Sequence, residues 1–495
     1  MVIILLLAQI TLTLMLVQAT GKYRLISIFL NVISIVVVLY IMNRRDKLDY
    51  KVTWIITILT FPLFGGILYL LFRLQSSVER IQRKYIKYNP QAHSILQQDA
   101  EIIDDLQSYD EGTYLQSSYL LRTAGFPVYK NTCVKYLSSG EEYFDALKKE
   151  LELAEKFIFL EYFIIDKGIM WDSILEILLR KSEEGVDVRV IYDDMGCMFS
   201  LPDKYYKKLE ATGIKCLAFN PFRPFWTTLQ NNRDHRKIVV VDGKTAFTGG
   251  INIADEYINK KERFGHWRDS GVIVKGDAAF GFCVMFLNMW DSITSSEEDF
   301  SKFKFEKSNV ENYTGYIQPY CDTPVDDENI GEQVFLQIIN NSRRYMYIST
   351  PYLIIDESIM TALCLAAKSG VDVRIITPFI PDKKLVHLVT RSYYPQLIHS
   401  GVKIYEYKPG FIHSKLFISD DKIVVTGTAN LDFRSLYLHF ECGVRLYGCD
   451  CIKHMKEDYF DIIEKSEEIT EEFSKKRTFM YKFAQNILRI CAPLL

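Results

Sequence analysis

An α/β protein of two tandem domains that close on one shared site, preceded by transmembrane helices, is the architecture this sequence predicts. Three observations carry that expectation. A strand–helix series occurs twice, a matched His/Lys motif sits at the same place in each copy, and three strongly apolar runs fall within the first 74 residues.

The chain has 495 residues, too many for one ordinary core and enough for two domains with an appendage. A net charge of −3 gives no overall attraction to nucleic acid, whose partners are usually basic. The ten cysteines show no Cys-x-x-Cys pair and no zinc-like spacing, with only Cys449 and Cys451 close together. They read as reduced thiols in or near cores rather than as disulfides or metal ligands.

Taken in order, residues 1–74 hold apolar runs at 2–19, 25–42 and 52–74. A bilayer core takes about 20 apolar residues per helix, so two to three spans are expected. A cleaved signal peptide fits residues 2–19 poorly, because no basic residue precedes the run and no small-x-small site follows it. With three spans, Lys22, Arg24, Arg73, Arg80, Arg83, Lys84 and Lys87 fall on the side of the globular part, and Arg44, Arg45, Lys47 and Lys51 on the other. That bias favours a cytoplasmic catalytic region and a multi-pass plasma-membrane location. Residues 75–124 form a charged connector without assigned chemistry.

From about residue 125 the pattern turns to α/β. EKFIFLEYFII (155–165), an amphipathic helix over 171–185 and VDVRVIYDD (186–194) are echoed by RRYMYISTPYLII (343–355), a helix through 361–370 and VDVRIITP (371–378). GIKC (213–216) is matched by GVKI (401–404), and DSGVIVKG (269–276) by ECGVRLYG (441–448). This is an internal duplication, with domains at 125–305 and 306–480. Residues 481–495 form a C-terminal amphipathic segment, suited to a membrane surface or to packing on the catalytic domain.

The copies carry RDHRKIVVVDGKTAFTGGIN (233–252) and FIHSKLFISDDKIVVTGTAN (411–430). Each has His-x-Lys, an Asp five residues after the Lys, then a Gly and an Asn: His235, Lys237, Asp242, Gly249 and Asn252; His413, Lys415, Asp420, Gly427 and Asn430. The apolar β-branched flanks read as strand pairs joined at Asp-Gly or Asp-Asp turns, and on a strand residues two apart share a face. One such motif is weak evidence. Two matched constellations in one chain are strong evidence.

The chemistry that suits these residues is phosphodiester exchange. Imidazole reaches both protonation states near neutral pH. One histidine can therefore attack phosphorus to form a phosphohistidine while the other protonates the leaving oxygen and then deprotonates the acceptor. Lys237 and Lys415 stabilise charge on the phosphoryl oxygens, with Asn252 and Asn430 donating further hydrogen bonds. Asp269 and Glu441, aligned by the repeat some thirty residues after each histidine, are expected to orient the imidazoles; Glu256 has no counterpart in the second copy. Asp242 and Asp420 belong to the catalytic motifs but sit beside turns, where structural support is the better reading. With two lysines present, no metal ion or other cofactor is needed. The insertion AFNPFRPFWTTLQNNRD (218–234) carries Phe219, Phe222, Phe225 and Trp226, a membrane lip or a surface-packed loop.

At these motifs the chain resembles the phospholipase D superfamily, whose two HxKxxxxD motifs meet in one site, and within it the bacterial cardiolipin synthases. The resemblance implies two phospholipase D-like α/β/α domains, with His235 as nucleophile and His413 as acid and base. It also implies phosphatidylglycerol as donor and acceptor, giving cardiolipin and glycerol. TANLDFRSLYLHFE (428–441) is similar to the family's second-motif continuation, making Arg434 and Ser435 candidate substrate contacts. Gly250 and Thr428 occupy the substrate-site position where the superfamily often has Ser. Two alternatives stay open: a hydrolase of the same superfamily, acting on phospholipid or nucleic acid, and an inactive membrane scaffold, whose signature would be a missing His or Lys.

Overall fold

In the computed structural model, residues 22–44, 47–61, 65–66, 69, 83–87, 94–221, 232–305, 313–326, 328–472, 477–490 and 492 are described. Two sheets dominate. The first runs β1 (Thr132–Leu137), β8 (Gly271–Gly276), β6 (Thr245–Gly249), β5 (Lys237–Val241), β2 (Phe157–Tyr162), β3 (Asp187–Asp193) and β4 (Lys215–Phe219) across its width. The second runs β9 (Tyr316–Asp322), β16 (Glu441–Tyr447), β15 (Ile423–Gly427), β14 (Leu416–Ser419), β10 (Tyr345–Ser349), β11 (Asp372–Pro378), β12 (Lys403–Tyr407) and β17 (Ser466–Ile469). Strand for strand the order is the same, with β17 added at the far edge. The duplication read from GVDVRVI and GVDVRII is therefore a duplication of topology.

Each sheet mixes parallel and antiparallel pairs, with β2–β3–β4 and β10–β11–β12 parallel. Their strands are near-continuous apolar runs because helices cover both faces. Helices Gly140–Glu152 and Ile169–Glu183 pack on one face of the first sheet, and Ala279–Thr294 on the other. Residues 279–292 are all buried, which fits a helix that is apolar all round, AFGFCVMFLNMW. It reaches β9 of the second half, so the two halves share one core.

The connector is part of that core. Helix Glu111–Ala124 is capped by the Asp110 carboxylate, and its Gln116 and Ser117 side chains accept hydrogen bonds from the buried Arg445 guanidinium. The nine described cysteines are free thiols.

The expected membrane-spanning region is not supported. Residues 1–21, including the first apolar run, lie outside the described residues, as does most of 62–82. Lys22–Met42 and Leu48–Thr60 are helices, but no helix among the described residues is long and apolar enough to cross a membrane. The sidedness argument fails with it. Lys47, assigned to the side opposite the globular part, donates to the Glu332 carboxylate of that part at 2.6 Å, and Thr53 donates to the Ile490 carbonyl at 2.7 Å.

Candidate active site

Parallel strands β2 and β3 end at the same edge at which β5 begins, with Tyr162 in register with Lys237. The second half repeats this, with Ser349 beside Leu416 and Lys415 just before it. Both motifs thus lie at the carboxyl ends of the parallel strands, where open α/β sheets place their sites.

The halves are joined there by backbone. His413 N–H donates to the Arg268 carbonyl at 2.7 Å, His235 N–H to the Phe440 carbonyl at 3.0 Å, and Phe440 N–H to the Arg233 carbonyl at 2.9 Å. Strand β13 (Gly410–Ile412) runs parallel to β7 (His266–Arg268). The residue following each contact is a carboxylate. Consequently His413 Nδ1 lies 2.7 Å from Asp269 Oδ2, and His235 Nδ1 lies 2.8 Å from Glu441 Oε1. The pairs are crossed: each carboxylate orients the histidine of the other half, where the repeat had placed it with its own. Strand pairing across the pseudo-twofold decides this, and linear spacing does not reveal it. Glu256 instead pairs with Arg263 at 2.9 Å.

Both imidazoles are buried, at 7 % and 6 % exposure. Burial pushes His235 well below the ordinary imidazole range, with Glu441 opposing. Burial, aided by Lys415, pushes His413 down to about 4. For the carboxyls, burial alone acts upward, but His235 holds Glu441, and His413 and Lys415 hold Asp269, below the usual carboxylate range. The resting pairs are therefore neutral imidazole with carboxylate, Nδ1–H donating and Nε2 left with a lone pair. Each lysine ammonium donates to the carbonyl of the histidine two residues earlier, at 2.5 Å in both halves. Burial lowers Lys237 to about 8 and Lys415 to about 7.

The remaining motif residues divide. Asn252 is committed, its Oδ1 accepting from Ile164 N–H at 3.1 Å and its Nδ2 donating to Tyr257 at 2.6 Å. Asn430 donates to Asp432 at 3.3 Å, with its Oδ1 buried and unpartnered. The Ser435 hydroxyl is likewise buried, both atoms without a partner among the described residues, and Arg434, on the same short helix Phe433–Tyr437, is lowered by burial. Thr428 donates to Glu441 at 2.5 Å. At Gly250 a Cβ would fall 2.2 Å from Asp269 Oδ1, so only glycine leaves that carboxylate in place.

Asp242 and Asp420 do not reach the chemistry. Asp242 accepts from the backbone N–H groups of Glu155, Lys156 and Phe157, and Asp420 from those of Arg343, Arg344 and Tyr345. Five residues of strand, about 16 Å, separate each from its lysine. Of the insertion, residues 222–231, with Phe222, Phe225 and Trp226, lie outside the described residues. Phe219 is buried in β4 against Phe440, which removes it from any lip.

Sequence reading missed the aromatic walls and one histidine. Phe163 lies 5.0 Å from His235, and Trp267 and Tyr257 lie 5.4 and 5.6 Å from His413. His439 lies 5.5 Å from His235. The repeat alignment, which sets Glu441 opposite Asp269, also sets His439 opposite Trp267, and that mismatch was the available signal.

The family described as "Cardiolipin synthase, PLD-like domain" matches residues 147–278 and 335–462, once in each half, and "Phospholipase_D-nuclease N-terminal" matches 29–73. The chain is 34 % identical over 468 residues to a cardiolipin synthase of Geobacillus kaustophilus, covering 94 % of this chain and 92 % of that one. It is 45 % identical to an uncharacterized protein of Streptococcus mutans, over 92 % and 99 % of the two chains. The crystal structure of phosphatidylserine synthase from Haemophilus influenzae shares the fold, with a TM-score of 0.56 at 14 % identity, covering 78 % of this chain and 98 % of that one. Two copies of one domain, closed on a doubled His/Lys site, place the chain in the cardiolipin synthase family of phospholipase D-like enzymes.

Proposed function

We propose that the protein is a cardiolipin synthase, moving a phosphatidyl group from one phosphatidylglycerol to the hydroxyl of another and releasing glycerol. The observation that carries this reading is the crossed pair of buried, carboxylate-held histidines with a lysine beside each.

His235 Nε2, free because Nδ1–H is engaged by Glu441, attacks phosphorus and forms the phosphohistidine. His413 protonates the departing glycerol oxygen. The bound phosphodiester supplies the negative charge that lifts this imidazole from its low resting value. In the second half-reaction His413, again neutral, takes the proton of the incoming hydroxyl, which displaces His235 from phosphorus. Lys237 and Lys415 hold the phosphoryl oxygens, and Arg434, Ser435 and Asn430 line the approach of the headgroup. Lysines take the charge-stabilising part, so turnover without added metal is part of the reading.

The substrate brings the enzyme to a bilayer. Three described surfaces suit that placement. Met195 and Phe199 follow β3, and Phe379 follows β11, at the edge where the motifs lie; Phe199 is 98 % exposed. Helix Lys22–Met42 exposes Phe29, Val32, Ile33, Val36 and Leu39. Helix Phe479–Ile490 docks on the catalytic part through Gln485, which donates to the Leu388 carbonyl, while exposing Phe479, Met480, Phe483 and Ile487 on its other side. An amphipathic helix of that kind lies in the headgroup boundary.

The test is the purified protein in mixed micelles with phosphatidylglycerol as the sole phospholipid, followed by identification of lipid and water-soluble products. Cardiolipin and glycerol in equal amounts are expected. Phosphatidic acid and glycerol without cardiolipin would instead make it a hydrolase.

A further inference from the structure

We propose that His235, His439 and Glu441 form a binding site for a divalent transition-metal ion of the zinc type, and that its occupation switches the enzyme off. The switching rests on His235 attacking through Nε2; the site itself does not.

The starting observation is the break in the pseudo-twofold. Trp267 packs on His413 at 5.4 Å, and at the matching position His439 lies 5.5 Å from His235. Indole cannot ligate a metal and imidazole can. The His439 side chain is only 10 % exposed, yet neither ring nitrogen has a hydrogen-bond partner among the described residues. Buried polar atoms are otherwise nearly always paired.

The donors are already gathered. One ligand atom from each of the three residues lies within 4.8 Å of the others. His235 Nδ1 is 2.8 Å and His439 Nδ1 is 3.8 Å from Glu441 Oε1. Tetrahedral zinc, with bonds of about 2.0–2.2 Å, sets neighbouring donors about 3.3 Å apart, between those two values. The two distances to Glu441 change by about half an ångström each, and the two imidazole donors, within 4.8 Å of one another, draw together. Two imidazoles and a carboxylate leave a fourth position open. The charges facing the site are mixed, Asp432 and Glu441 against Lys237 and Arg434, which makes binding weaker than at a wholly anionic site.

Occupation has a chemical consequence. The ion takes the Nδ1 lone pair of His235, so the single proton of the neutral ring relocates, through solvent, from Nδ1 to Nε2. A ring protonated at Nε2 has no lone pair for phosphorus. Glu441 is drawn from Nδ1–H to the metal in the same event.

The test uses the full-length, metal-stripped protein in detergent. Cobalt(II) absorption in the visible reports tetrahedral binding directly, zinc displaces it, and phosphatidylglycerol turnover is followed in parallel. One ion per chain is expected, bound at least tenfold more weakly by His439→Asn and His439→Gln proteins that keep the wild-type melting temperature. Zinc should inhibit wild-type turnover at concentrations that fill the site, with the inhibition curve shifted by the same factor in both variants. No cobalt binding by wild type, or equal binding by the folded variants, overturns the site. Binding that depends on His439 without inhibition supports the site and overturns the switch, and with it the assignment of His235 as nucleophile.

Discussion

At the residue scale, burial sets the resting state of the site. It strips the lysines and histidines of water and holds all four below their ordinary values, so on the proposed function binding of a phosphodiester is accompanied by proton uptake. With Lys415 held at about 7 and Lys237 at about 8, both are charged at pH 6 and both are neutral in the free protein at pH 9. A bound anion favours the charged forms, so affinity falls as pH rises through these values. Summed over both lysines, a short-chain phosphonate analogue should bind up to about 10³-fold more weakly at pH 9 than at pH 6. Titration calorimetry in two buffers of different ionisation enthalpy would show the proton uptake. A flat affinity with no proton uptake would mean the lysines stay charged in the free protein. The identities of these residues were legible in the sequence, because each motif constrains five positions at once. The crossing of the carboxylates was not. It depends on His235 meeting Phe440 and His413 meeting Arg268 across the domain interface, and chain spacing carries no trace of that.

At the scale of elements, the two motif aspartates hold turns. Asp242, with φ of 52°, and Asp420, with φ of 57°, turn the chain at the far ends of β5 and β14. There each collects three backbone N–H groups from the segment leading into a neighbouring strand. Asp242→Ala leaves those donors short of partners and should cost about 2–4 kcal/mol, read as a lower melting temperature. The protein that remains folded should still form a covalent adduct with a reactive donor. Loss of the adduct at full stability would return Asp242 to the chemistry. The strands and the duplicated helices were predictable from apolar runs closed by Gly185 and Gly370. Hydropathy does not record partners, so the apolar N-terminal runs gave no sign that Lys47 and Thr53 are tied to the catalytic part.

For the whole molecule, exposed apolar groups occur at the sheet edge where the motifs lie, Phe199 at 98 % and Phe379 at 39 % exposure. Phe199 and Phe379 lie at the same edge of their respective sheets, one from each half. Phe199→Ser combined with Phe379→Ser should reduce turnover on phosphatidylglycerol vesicles about tenfold or more, by the loss of about 1.5–3 kcal/mol of burial per aromatic group. Turnover of a water-soluble short-chain analogue should change little. Equal losses on both substrates would place these side chains in support of the fold instead of at the membrane.

The central claim is that two histidines held by crossed carboxylates divide the reaction between attack and proton transfer, and a trapped intermediate tests it most directly. A nitrophenyl phosphodiester donor has a leaving group that needs no proton. The first half-reaction therefore bypasses the roughly 10²–10⁴-fold contribution of an acid–base group. His413→Ala should then accumulate the covalent adduct, since its second step lacks the base for the incoming hydroxyl. Mass spectrometry after a rapid quench should place the phosphatidyl group on the peptide containing His235, and His235→Ala should form no adduct with any donor. An adduct on His413 in the His235→Ala protein would contradict the assignment of roles, and the absence of any adduct from both variants would contradict the phosphohistidine itself.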